Sequence, residues 1–122
     1  YITDWVEGWY GVGKGRIYKV FDPTLSTSPE VLQVKKLLAE GMADRTNEAL
    51  SELLGHADRR IRQEAQFALV ARGGLEELID AATRGEPTLK RLAGVWGLGQ
   101  LARRGDEPQK SAAVAALLAL LE

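Results

Sequence analysis

The sequence predicts a mostly α protein, with about six amphipathic helices in an array preceded by a short β-hairpin. Six of the eight aromatic residues and four of the thirteen glycines fall in the first 21 residues. The remainder is rich in Ala, Leu, Glu and Arg, which favour helix. Within it, apolar stripes at helical spacing alternate with Gly and Asp stops. The expected organisation is a hairpin over 1–21, a linker over 22–29 and helical repeats over 30–122.

Tyr1-Ile2-Thr3-Asp4-Trp5-Val6 alternates large and small groups, and Arg16-Ile17-Tyr18-Lys19-Val20-Phe21 is β-branched and aromatic, so both read as strands. Gly8, Gly11, Gly13 and Gly15 mark the irregular turn between them. A lone two-stranded hairpin is marginal in water, so this piece must lean on something else. The join from Asp22 to Pro29 holds two Pro and four hydroxyl residues, which suits a linker.

Ser28 before Pro29 is a good cap for a first helix, with Val31, Val34, Leu37 and Leu38 on one face and Gly41 to end it. Ala49, Leu50, Leu53 and Leu54 make a second, stopped at Gly55. Asp58 can cap a third, carrying Ile61, Ala65, Ala68 and Leu69 ahead of Gly73. Leu75, Leu78, Ile79 and Ala82 mark a fourth, closed by Gly85. Pro87 at the first helical position opens a fifth, with Leu89, Leu92, Ala93, Trp96 and Leu101 before Gly105. Asp106 with Gln109 three residues later reads as a capping box for the sixth, which carries Leu117, Leu118 and Leu121.

The helices come in pairs. Residues 47–54 and 58–72 are echoed by 75–82 and 87–104, at an offset of about 28–32 residues. Arg62-x-x-Ala65-x-Phe67-Ala68-Leu69 aligns with Arg91-x-x-Gly94-x-Trp96-Gly97-Leu98. Small residues let helices approach closely. Phe67 and Trp96 at matching positions are expected to fill the core between repeats, and truncating either should cost roughly 3–5 kcal/mol.

The run Asp58-Arg59-Arg60-Ile61-Arg62-x-x-Ala65-x-x-Ala68-Leu69, with Leu98-Gly99-Gln100-Leu101-Ala102, resembles a short bacterial HEAT repeat over residues 30–122. The resemblance implies an armadillo-type α-α superhelix in which Asp58 caps its helix and the following Arg pairs along the stack. Tyr1-Ile2-Thr3-Asp4-Trp5 and Gly13-Lys14-Gly15-Arg16-Ile17-Tyr18-Lys19-Val20 resemble the closing strands of a sugar-dehydrogenase-type β-propeller. Propeller tail followed by HEAT repeats is similar to the junction in large exported bacterial membrane-bound dehydrogenases with a terminal cytochrome c domain. That similarity implies a connecting piece of a larger exported protein, with Tyr1, Trp5, Trp9 and Tyr18 as contacts on the propeller side. A start inside a strand pattern and a stop on Leu120-Leu121-Glu122 agree with a fragment. There is no CxxCH haem motif and too few strands for a blade, so no catalytic residue carries over.

Composition narrows the function further. At 122 residues and 27% charged, the chain is an ordinary one-domain length. Sixteen Lys and Arg against seventeen Asp and Glu give no global attraction to nucleic acid or anionic membrane. The absence of Cys excludes disulfides, thiolate metal sites and Cys nucleophiles. No apolar run approaches the roughly 18 residues of a membrane span.

Gly11-Val12-Gly13-Lys14-Gly15 fails as a phosphate loop, because Gly follows the Lys and a strand follows the glycines. Asp4 with Glu7 lacks nearby His or Cys and reads as solvated acids, and His56, the single His, cannot build a zinc site. No catalytic, cofactor or metal residues are therefore assigned.

Arg59, Arg62 and Arg91, with Arg60, Lys90, Arg103 and Arg104, fall on the longer helices and would make a phosphate groove if they shared a face. Comparable numbers of acids nearby, and the use of Arg72, Arg103 and Arg104 to offset helix dipoles, weigh against that. The leading expectation is a non-catalytic scaffold or protein-interaction segment that docks on its parent protein or on another protein, or self-associates. The competing expectations are a segment bordering a dehydrogenase active site and a nucleic-acid binder.

Overall fold

The structure, a computed structural model, describes residues 1–5 and 15–121. It divides into two compact units, Tyr1–Gln33 and Val34–Glu122.

In the first unit, β1 (Ile2–Trp5) and β2 (Gly15–Tyr18) form a two-stranded antiparallel hairpin that sets Asp4 opposite Arg16. This register brings the two side chains together in a cross-strand ion pair, Arg16 Nη2 to Asp4 Oδ2 at 2.8 Å. The Arg16 guanidinium also lies over the Tyr18 ring, 5.9 Å from its centroid. Every residue of β2 is exposed. Gly8, Gly11, Gly13, Lys14, Glu7 and Trp9 lie outside the described residues. In the join, Asp22 Oδ1 accepts from the Thr24 and Leu25 amides at 2.8 and 3.2 Å and starts a 3₁₀ turn, Leu25–Thr27.

Six α-helices follow among the described residues: α1 (Pro29–Glu40), α2 (Asn47–Leu53), α3 (Arg59–Ala71), α4 (Leu75–Arg84), α5 (Thr88–Arg104) and α6 (Glu107–Ala119). Their ends are set by local chemistry. Ser28 Oγ accepts from the Val31 amide, and Thr46 Oγ1 from the Ala49 amide. The capping box at α6 is complete, with Asp106 accepting from the Gln109 amide at 2.9 Å and the Gln109 side chain returning to the Asp106 amide. Gly41 and Gly73 follow α1 and α3 with φ of 73° and 69°, a left-handed backbone that glycine adopts without a Cβ clash. Pro87 stands at the cap of α5 and not at the expected first helical position, which Thr88 takes.

From α2 onward each helix packs on the next and on the next but one. α2 and α4 lie side by side in one layer, α3 and α5 in a second, and α6 closes against α4 and α5. The core between the layers is aliphatic, with Leu50, Leu54, Ile61, Leu69, Leu78, Leu98 and Leu101 fully buried. Val34 and Met42 join it, with Leu37 and Leu38 packed against it.

One expectation is overturned. Trp96 is 64% exposed and Phe67 43%, so neither fills the core. The reason lies in α5, which is apolar round most of its circumference. Leu89, Leu92, Val95 and Trp96 are exposed, whereas Ala93, Gly94, Gly97, Leu98 and Leu101 are buried. The small residues, not the Trp, face α4, because only they allow so close an approach. Trp96→Ala should therefore lower stability by only about 0.5 kcal/mol, as for other surface positions, in place of the cavity cost predicted from sequence. Urea denaturation of the two proteins checks this.

Candidate interaction groove

Two stripes at helical spacing meet on the outer face of the second layer. On α3 they are Arg59, Arg62, Gln63, Gln66 and Phe67. On α5 they are Leu89, Leu92, Ala93, Trp96 and Gln100. Together they line an open groove of about 490 Å³, cationic and amide-bearing on one side and apolar on the other. No carboxylate lines it. An adjoining depression of about 560 Å³ shares Phe67 and Gln100 and runs on to Arg104. Its one carboxylate, Asp106, is occupied by the α6 cap.

The predicted basic residues separate. Arg59 and Arg62 enter the groove, while Arg91 does not line it. Arg91 pairs instead with Glu86 Oε1 at 2.9 Å and with Thr88 Oγ1 at 3.2 Å. Lys90 lies on the α2/α4 side, paired with Glu52 at 3.2 Å. Arg62 donates to the carbonyls of His56 and Ala57 at 2.7 and 2.8 Å, which fixes the turn before α3. Arg59 and Arg104 make no ion pair or side-chain hydrogen bond with the described residues. The pairing along the stack implied for the Arg after Asp58 is not formed by Arg59; the neighbouring Arg60 instead makes a local contact, donating to both Asp58 oxygens, Nε at 3.0 Å and Nη2 at 2.7 Å.

That bidentate contact, together with the Arg60 amide, outweighs partial burial and holds the Asp58 carboxyl down at about 2, from an ordinary 3.8. Because the folded value is the lower one, the stabilisation is complete above 3.8 and is lost as pH falls through about 2. Asp58→Asn should flatten the acid limb of the stability curve over that window, read by denaturant midpoints against pH. Asp58→Ala should cost about 1 kcal/mol at neutral pH as the cap is removed.

On the hairpin, Tyr1 is 87% exposed and Tyr18 44%, and Trp5 ends β1. The fourth predicted contact, Trp9, lies outside the described residues. His56 Nδ1 accepts from the Asp58 amide at 3.0 Å, a local turn role.

Sequence reasoning missed one structural contact and one groove-lining residue. Arg72, read as a dipole-offsetting cation, donates to the carbonyls of Met42, Ala43 and Arg45, joining the end of α3 to the turn after α1. Gln66 is a buried polar residue in the groove wall, and its position on the stripe from Arg62 was visible only as spacing.

The α2/α4 face is of opposite character, lined by Glu48, Glu52, Glu76, Glu77 and Asp80, with both of its cations ion-paired. No group of three or more His, Asp or Glu suited to a metal ion occurs among the described residues. None of their helices is long and apolar enough to cross a membrane. No protein family, curated protein or solved structure matches the chain.

Proposed function

We propose that this chain is a non-catalytic protein-interaction unit, with the α3/α5 groove as its docking face. The observation that carries the reading is the exposure of Trp96, Leu92, Leu89 and Phe67 together in one open groove. Contiguous apolar surface of this kind, rimmed by polar groups, marks interaction sites, and Trp and Arg are the residue types that dominate their energetics. On the resemblance described above, the unit belongs to a larger exported protein of the propeller and HEAT-repeat kind, and the exposed Tyr1 and Tyr18 of the hairpin face a neighbouring domain. That part of the reading rests on the sequence alone.

The test is site-directed photo-cross-linking in the cells that make the protein. Benzoyl-phenylalanine at position 96 should give a discrete protein adduct, and the same group at position 84, on the α2/α4 side, should not. Equal labelling at both positions, or none at 96, would remove the proposal.

A further inference from the structure

The chemistry of the groove wall specifies what kind of protein segment it takes. We infer that the α3/α5 face binds an extended acidic peptide segment, its apolar side chain seated against Leu92 and Trp96 and its carboxylates on Arg59 and Arg104. This rests on the reading of that face as a protein-interaction surface and names its partner class.

Charge complementarity supplies the first argument. The groove holds Arg59 and Arg62 and no carboxylate, and the adjoining depression adds Arg104, its one carboxylate, Asp106, being engaged by the α6 cap. Arg59 and Arg104 have no partner among the described residues, so their guanidinium groups are available as bidentate donors. A basic segment would find no counter-charge in the groove.

The second argument is length. From Leu89 to Arg104 along α5 is roughly 22 Å at 1.5 Å per residue, the reach of about six or seven residues of extended chain.

The third separates a peptide from a nucleic acid. Gln63, Gln66 and Gln100 line the groove and make no hydrogen bond with the described residues. Each side-chain amide offers both a donor and an acceptor, which matches the alternating N–H and C=O of a peptide backbone. A phosphate backbone offers acceptors only and carries a charge at every nucleotide, whereas the cations stand at the ends of this face and the apolar residues between them.

The deciding experiment is selection of a random peptide display library on the whole protein, with Arg59→Glu, Trp96→Ala and the distant Lys36→Glu as parallel baits. Circular dichroism melts verify that each bait is folded. The parent and Lys36→Glu should enrich sequences in which Asp or Glu flank an aromatic or Leu residue. Arg59→Glu should weaken a selected peptide about tenfold or more, as loss of a charge-assisted contact does. Trp96→Ala should do likewise while its melt stays within a few degrees of the parent's. Absence of enrichment, enrichment of basic sequences, or affinities indifferent to both substitutions would overturn the inference. So would salt-dependent binding of single-stranded DNA in place of peptide. A cross-link at position 96 with a failed selection rejects the acidic peptide and keeps the interaction surface; failure of both rejects both.

Discussion

Gly94→Ala should destabilise the helical unit by about 2 kcal/mol or more, although alanine is the better helix former by about 1 kcal/mol. A Cβ at position 94 would lie 2.5 Å from the Ala82 backbone nitrogen and 2.8 Å from the Leu78 carbonyl oxygen. Both are backbone atoms of α4, so no rotamer change relieves the contact. The two helices must part, and every side chain packed between them loses van der Waals contact. Gly99, five residues on in the same helix, has nothing within 4 Å of its Cβ position. There the propensity term acts alone, and Gly99→Ala should stabilise by up to about 1 kcal/mol. Opposite shifts of the urea midpoint for the same chemical change in one helix would verify the close approach of α4 and α5. A Gly94→Ala protein as stable as its parent would refute it.

Leu78→Ala should cost about 3 kcal/mol, because Leu78 is fully buried between the layers and its loss leaves a cavity. Its partner across the interface is Gly97, where a Cβ would fall well inside van der Waals contact with Leu78 Cδ2. Gly97→Ala alone forces the Leu78 side chain out of its place and should also destabilise. In combination the added methyl enters the space the leucine leaves. The double variant should therefore be more stable than the sum of the two losses by about 1 kcal/mol or more. Strict additivity would mean that the two positions do not share that space.

Helix limits were largely legible in the sequence, because they are fixed by residues close in the chain. Asp58, Asp106 with Gln109, Gly41 and Gly73 each act within a few positions of themselves. The hairpin was legible for the same reason. The facing of α5 was not, since apolar residues surround it and period alone does not choose between Trp96 and Leu98 as the buried one. The choice is made by α4, whose backbone leaves no room for a side chain at Gly94 and whose Leu78 side chain leaves none at Gly97. Arg72 was misread because its acceptors lie 27 to 30 residues earlier. The groove combines both difficulties. Its two stripes are each regular in sequence, but only the packing of α3 on α5 places Arg59 and Gln63 across from Leu92 and Trp96.

The uneven placement of charge has a kinetic consequence that a total of −1 conceals. With carboxylates gathered on the α2/α4 side and open guanidinium groups on the α3/α5 side, the helical unit carries an electric dipole across its two layers. An approaching anion feels torque before it feels contact, and the molecule turns its guanidinium side toward the visitor during the encounter. Capture of a negatively charged segment should accordingly slow as added salt shortens the Debye length to about 8 Å or less, while its escape rate stays nearly constant.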